Sequence, residues 1–395
     1  MNFQFSKNEE DFRKEIQEFL KQELPDGWGG LEESVQAPEG WEFYKNFMKK
    51  LGAKGWLTMS WPKEYGGMSA TPMEQLVFME EMAYHNAPAM SIATTWVGPT
   101  ILLYGSEEQK NRYLPGISKG EIEICLGYSE PNAGSDLASL QTRAVRDGDH
   151  YIVNGQKVWT SLAHKSDYCW LAARTDPNVS KHKGISMFIV DINTPGITIR
   201  PLIDIRGFHT FNEVFFDDVK VPADCLVGGE NNGWYILATA LDLERTSFGG
   251  GINITADSQH ILEDLLTYVK ETKRNGEPLS KDPLIQHKLA QCAVEIEVSR
   301  LLAYRLSCMA NENIVANHEA SVSKLFGSEM SQRIAKIGME ILGLYGPLEL
   351  PSKWTPLEGK IQQLYLWTLA NAIGAGTSEI QRNIIALRGL NLPRK

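Results

Sequence analysis

Apolar residues recur at helical spacing through roughly the first 120 residues. Phe12, Ile16, Phe19 and Leu20 share a face, and Ser6-x-x-Glu9 ahead of them has the form of a capping box. Further helical patterns run through Met73–Met82 and Glu107–Leu114, punctuated by the Gly- and Pro-rich stretches Leu24–Gly30 and Trp61–Gly67. From about residue 121 to 230 the period shortens. HYIVNGQKVWTS reads as two β-prone runs around Asn154-Gly155, a strong hairpin signal. GISMFIVDI, GITIRPLI and NEVFFDDVKVP follow as short strands separated by Gly, Pro and Asn. No long helical pattern intervenes, so an antiparallel barrel or sandwich is predicted rather than a parallel sheet. The helical period then returns in Trp234–Phe248, Asn253–Arg274, Leu284–Asn311, Ala316–Leu342 and Gln362–Ala372. Their charged and apolar faces alternate as in a bundle.

The predicted architecture is therefore an α+β multidomain chain. It has an N-terminal helical domain (1–120), a central antiparallel β-barrel domain (121–232) and a C-terminal four-helix-bundle domain (233–395). A prior of ~150 residues per domain agrees with that division. Net charge narrows the partners: at −10 the chain lacks the basic character of a general nucleic-acid or anionic-membrane binder. No stretch reaches the ~18 apolar residues of a membrane span, and the first residues carry no apolar core of signal-peptide length. The five cysteines are scattered and form no CxxC pair, which argues against a disulfide framework or zinc site and for a cytoplasmic setting. The eight histidines show no metal-ligand spacing, so no metal is expected, and no P-loop pattern occurs.

Four segments carry candidate chemistry. GYSEPNAGSDLASLQTRA places Gly134-Ser135-Asp136 after a predicted strand, where small residues let backbone approach a flat ring or a phosphate. A surface turn with hydroxyls fits the same residues. KVWTS puts Trp159 beside Thr160 and Ser161, suited to flank a conjugated ring and bond its edge, or equally to a core Trp with a strand-end Thr. ALDLERTSFGGG sets Asp242, Glu244 and Arg245 in a helix otherwise lined by Leu237, Leu241, Leu243 and Phe248. A carboxylate against apolar groups has a raised pKa and serves as a general base near neutrality; a solvated helix face is the alternative. No ligand is assigned to Gly249–Gly251. In NAIGAGTSEIQRNI, the run Gly374-Ala375-Gly376-Thr377 interrupts a helix and exposes N–H groups at the next helix start. A helix–helix turn with Thr377 or Ser378 as N-cap also fits.

Together, in this order and spacing, the four segments resemble the acyl-CoA dehydrogenase family over essentially the whole chain. YSEPNAGSD with VNGQKVWTS, and AGTSEIQRNI, are the specific elements. The resemblance implies FAD as cofactor and oxidation of an acyl-CoA thioester to the trans-2-enoyl-CoA, a β-oxidation type of reaction. In it a glutamate removes the α-proton and flavin N5 accepts the β-hydride. It also implies an electron-transferring flavoprotein as acceptor and a tetramer. Position by position, Leu126, Tyr128, Ser129, Gly134 and Ser135 match the flavin-contacting strand and loop, and Ser135 also a CoA contact. Trp159, Thr160 and Ser161 match the residues beside the isoalloxazine, and Thr377 and Glu379 match FAD contacts in the C-terminal loop. Asp242, Arg245, Ala375 and Gly376 match substrate-binding positions.

Many family members carry the base where this chain has Ala375, which accepts no proton. Members resembling isovaleryl-CoA and long-chain dehydrogenases carry it in the helix that reads LDLER here, at Glu244, and isovaleryl-type members share GAGTSE. Glu244 is therefore the candidate base, with the Ala375 backbone N–H left as donor to the thioester oxygen. Two positions depart from the family. A usual Arg and Phe are Thr272 and Asn275, with Lys273 and Arg274 beside them, and a usual Gln is Glu340. These departures resemble bacterial dehydrogenases of bulky, cyclic or branched acyl-CoAs, some of which are heterotetramers of unlike subunits sharing fewer FADs. The chain is thus expected as a homotetramer or as a heterotetramer with a paralogue. The second reading is a non-catalytic subunit that completes a paralogue's FAD site.

Overall fold

The computed structural model describes residues 5–26, 28, 30, 36–89, 91–246 and 252–393, without the side chains of 241–246. These residues form two compact units. One comprises Met1–Asp26, Thr71–Ala87 and Arg245–Lys395; the other comprises Gly27–Ala70 and Pro88–Glu244. The α-helices before the sheet are α1 (Lys7–Glu23), α2 (Pro38–Ala53), α3 (Pro72–Tyr84), α4 (Gly98–Tyr104) and α5 (Glu107–Ser118). After it come α6 (Gly233–Thr246), α7 (Ile252–Glu271), α8 (Pro283–Asn311), α9 (His318–Leu342), α10 (Lys360–Asn371) and α11 (Ser378–Ile384).

The first unit is helical. The capping box ahead of α1 forms as predicted: the Ser6 hydroxyl accepts from the Glu9 N–H, and the Glu9 carboxylate accepts from the Ser6 N–H. Ile16, Phe19 and Leu20 are the buried stripe of that helix. The long helices α7, α8 and α9 meet over a core that includes Leu265, Cys292, Ile296, Met330 and Ile334. Gly338 permits the approach of α9 to α10, since a Cβ there would lie 2.9 Å from the Ile361 side chain. The predicted end of α7 at Arg274 is cut short: Lys273–Arg274 and Glu277–Pro278 form a small hairpin, β9 and β10. Its turn residues Asn275 and Gly276 have φ of 55° and 88°, the left-handed pair an Asn-Gly turn supplies.

The second unit holds the sheet. Its strands are β1 (Ile124–Gly127), β2 (Arg143–Asp147), β3 (His150–Lys157), β4 (Tyr168–Arg174), β5 (Ile185–Asp191), β6 (Ile197–Leu202), β7 (Phe211–Pro222) and β8 (Leu226–Val227). The strand path is β6-β7-β3-β2-β4-β5-β8, with β1 beside β4. The predicted antiparallel barrel or sandwich is therefore corrected to one open, mixed sheet, because the strand path does not close and β1 and β2 both run parallel to β4. The path ends at β6, whose six residues carry Pro201 and are half exposed, and at β8, which has two residues. Such short or proline-bearing edges do not pair further.

The Asn154-Gly155 hairpin is also corrected. Both residues lie inside β3, at a bulge against β7. The Asn154 side chain donates to Asp218 and accepts the Asp218 N–H, while Gly155 admits Thr142, whose hydroxyl would lie 2.5 Å from a Cβ there. The real turn is at Gly148-Asp149, between β2 and β3. Helix α2, not singled out by its period, buries Tyr44, Phe47, Met48 and Leu51. No helix among the described residues is long and apolar enough to cross a membrane.

Candidate active site

In the sheet unit, two of the sequence segments are built into one another. Strand β1 presents Leu126, half-buried, and runs into Tyr128, whose hydroxyl accepts from the buried Trp170 indole at 3.0 Å. Glu130 and Ala133 then close a turn through reciprocal backbone hydrogen bonds. The Ser129 carbonyl accepts the Val158 N–H at 2.9 Å, which ties this strand end to the end of β3, one residue before Trp159. Beneath that junction is an ion pair the sequence reading missed. Lys157 is fully buried, and its ammonium donates to Glu130 at 2.8 Å and to the Tyr128 carbonyl at 3.1 Å. Burial pushes the Glu130 carboxyl up, but Lys157 and the Gln141 and Thr142 N–H groups together hold it below its ordinary value. Beyond the turn, Gly134 and Ser135 are exposed, and a Cβ at Gly134 would meet nothing within 4 Å. Asp136 pairs with Lys181 at 2.8 Å.

At the end of β3 the chain turns sharply. Trp159 has φ of 60° and Leu162 has φ of 52°. Trp159 stands 58% exposed, edge-on to Phe211 at 5.8 Å, so it is not the core Trp that the sequence also allowed. Thr160 is buried, and its backbone makes a reciprocal pair with Asn212 at 3.0 Å in both directions. Its hydroxyl is buried without a hydrogen-bond partner. A buried hydroxyl of this kind costs free energy unless a ligand satisfies it. Ser161 is half-buried beside it. An exposed aromatic face, an unsatisfied hydroxyl and an open glycine edge fit a flat, hydrogen-bonding ring such as that of FAD.

In the helical unit, the predicted break in the helix is present. Ala375 and Gly376 have φ of 54° and 86°. Lys324 donates to the carbonyls of Asn371 and Gly376 at 3.1 and 2.8 Å, and the Gln381 amide donates to the Ala375 carbonyl at 2.9 Å. The Ala375 N–H has no hydrogen-bond partner among the described residues. Thr377 is the N-cap of α11, its hydroxyl accepting from the Ile380 N–H at 3.2 Å. Glu379 is exposed in the first turn of α11, and its carboxyl is held below the ordinary value by its own N–H and by Thr377. Asp242, Glu244 and Arg245 lie in the last turns of α6, but their side chains are outside the described residues, as is Gly249–Gly251. Glu340, the acidic departure, is compensated by Lys288 at 2.5 Å. Arg274 reaches the Ile341 carbonyl at 3.5 Å.

Three consecutive family models match this chain: the acyl-CoA dehydrogenase N-terminal domain over residues 6–121, the middle domain over 125–219 and the C-terminal domain over 231–390. The helical, sheet and helical parts thus define an oxidoreductase of one known architecture. The chain belongs to the acyl-CoA dehydrogenase family. Among its relatives, acyl-CoA dehydrogenase FadE29 of Mycobacterium tuberculosis is 39% identical over 359 residues, 89% of each chain. The chain is also similar to the ChsE4-ChsE5 complex of Mycobacterium tuberculosis, with 35% identity and a TM-score of 0.89 over 100% of both chains. A Tcur3481-Tcur3483 steroid ACAD matches at 34% identity and a TM-score of 0.88, again over 100% of both chains.

Proposed function

We propose that this chain is an FAD-dependent acyl-CoA dehydrogenase that desaturates a bulky, cyclic or branched acyl-CoA to the trans-2-enoyl-CoA, with Glu244 as the base. The observation that carries the FAD part is the junction of Ser129 with Val158, which ties the strand leading to Gly134-Ser135 to the strand end that carries the exposed Trp159 and the unsatisfied Thr160 hydroxyl. Bound there, FAD supplies the acceptor for the β-hydride. Glu244 takes the α-proton. It lies in the Leu-rich α6, and an acyl chain that excludes water would strengthen a carboxylate there as a base. The Ala375 N–H, unpaired and presented by a left-handed backbone, donates to the thioester oxygen as negative charge develops. Leu126, Tyr128, Ser129, Ser135, Ser161, Thr377 and Glu379 complete the cofactor set. Asp242, Arg245 and Gly376 serve the substrate. The bulky substrate class rests on the steroid ACAD relative.

The test is Glu244→Gln in the purified protein. The variant keeps its flavin, as judged by absorbance, and loses flavin reduction by acyl-CoA by three orders of magnitude or more, on the order of a general base's full contribution. Rapid reduction in the variant rejects Glu244 as base.

A second reading has its own observation. Two of the similar structures, the ChsE4-ChsE5 complex and the Tcur3481-Tcur3483 steroid ACAD, each join two differently named chains, and Thr272 and Asn275 stand where the resemblance implies an Arg and a Phe. In that reading the chain is a partner that completes a paralogue's FAD site. An electron-transferring flavoprotein is the proposed acceptor in either case. Flavin per chain, measured on protein expressed alone, separates the readings. Near one FAD per chain supports self-sufficiency, and little FAD on a folded chain supports the partner role.

A further inference from the structure

Asn212 is the second residue of β7 and is fully buried, a costly place for a carboxamide unless its groups are used. Its N–H and its side-chain Nδ2 both donate to the Thr160 carbonyl at 3.0 Å. That carbonyl only accepts, so it fixes which end of the carboxamide faces it. The other end, Oδ1, also only accepts, and it lies 2.8 Å from His209 Nε2. His209 must therefore carry its proton on Nε2 and donate it. His209 is itself braced on two sides. Its backbone N–H donates to Gln36 at 2.9 Å, and its ring stacks on His164 at 3.7 Å with an interplanar angle of 12°. The bonds run in one direction: His209 to Asn212, and Asn212 to the Thr160 carbonyl. The Thr160 hydroxyl is left without a partner at the end of that chain.

We propose that His209 and Asn212 are positioning residues for the cofactor. The His209 proton locks the Asn212 carboxamide, which clamps the Thr160 peptide and keeps its hydroxyl free for the edge of the flavin ring. This rests on the FAD reading above. A hydroxyl fixed in advance stabilises added electron density on a ring better than one that must reorient. Loosening the clamp therefore lowers the flavin's reduction potential and slows its reduction.

The experiment compares His209→Phe with His209→Gln in the full-length protein. Phe keeps a ring against His164 but has no proton to give. Gln offers an N–H in place of Nε2–H. In His209→Phe, FAD is retained and the melting temperature stays within a few degrees. The visible flavin spectrum shifts, the potential becomes more negative and reduction by acyl-CoA slows roughly tenfold, with the loss in kcat rather than KM. His209→Gln recovers most of the spectrum and potential. Asn212→Leu shows the same spectral change more strongly if it folds. A spectrum and potential in His209→Phe equal to wild type overturn the proposal, as do equal losses in Phe and Gln.

Hydrogen exchange on the flavin-free protein provides a readout independent of FAD. The Thr160 N–H, bonded to Asn212, exchanges at least tenfold faster in His209→Phe and near the wild-type rate in His209→Gln. Unchanged exchange in His209→Phe rejects the clamp. A wild-type chain that takes up no FAD, alone or with a paralogue, while showing this exchange pattern rejects the FAD reading and leaves the clamp standing.

Discussion

Two regions among those that carry the family resemblance are organised by different physics. The junction of β1 and β3 is held from inside the protein. Lys157, Glu130 and Asn212 are buried, and each spends its polar atoms on backbone or on a partner. The Gly374–Thr377 loop in the helical unit is held from its carbonyl side. Lys324 and Gln381 take the carbonyls, and the Ala375 N–H is left without a partner among the described residues. The first arrangement fixes a side-chain hydroxyl, Thr160; the second fixes a backbone donor. A backbone donor survives substitution of its own side chain, so under the proposed function Ala375 still supplies a donor where the resemblance implies an acid. A side-chain donor does not, and it needs the stiffer scaffold.

The largest expected effect comes from breaking the buried pair. Lys157→Met leaves the Glu130 carboxylate beneath the β1 end without its cation. Stability falls by about 3–5 kcal/mol, the usual penalty for a widowed buried charge. Urea unfolding measures it. Adding Glu130→Gln recovers part of the loss, because both charges are then gone. The pH dependence has a definite sign. The Glu130 carboxyl sits below its ordinary value of 4.5 in the folded protein. Its contribution is present above that value and is lost as pH falls through the folded pKa. Lys157→Met and wild type therefore converge in acid. A loss under 1 kcal/mol near neutrality equates the two regions and removes the contrast.

The loop gives the intermediate effect. Lys324→Met removes a cation that donates to two carbonyls, Asn371 and Gly376. Charged hydrogen bonds of this kind contribute about 1.5–3 kcal/mol. The Lys324 side chain is only half-buried, so a global loss near 1–2 kcal/mol is expected. Hydrogen exchange across 372–380 rises, and exchange across 157–162 does not change. A rise in both segments shows that the two scaffolds are one cooperative unit.

This difference also explains what the sequence revealed. The α–β–α order was legible because burial imposes a period of 3.6 on Ile16, Phe19 and Leu20 and alternation on β7. The capping box at Ser6 was legible because both partners lie within one turn. Closure of the sheet was not, since whether β6 finds a partner depends on strands far away in sequence. Asn154-Gly155 misled because the same dipeptide that makes a turn also makes a bulge, and here Asp218 and Thr142 decide between them. Of the two N-cap residues left open, Thr377 and Ser378, the structure selects Thr377. Lys157 and Asn212 went unnoticed as scaffold. The available signal was a polar residue at a position where a strand should bury an apolar one. Their partners, Glu130 and Thr160, are remote in sequence, so only the fold pairs them.

The smallest effect on stability is also the most informative, because its sign differs between two measurements. Thr160→Val keeps the β-branched shape and removes only the hydroxyl. In the flavin-free protein that hydroxyl is buried with no partner, so its removal relieves a desolvation cost. The variant is then as stable as wild type or more stable by up to about 1 kcal/mol. The carbonyl and N–H of residue 160 still pair with Asn212, so the fold has no reason to move. FAD affinity falls instead, by roughly tenfold, the size of one hydrogen bond. Thermal melts of the flavin-free proteins and FAD titrations read the two quantities separately. If stability and affinity fall together, the hydroxyl serves the fold. If affinity is unchanged while stability holds, the hydroxyl serves neither, and the stiff scaffold around it exists for Trp159.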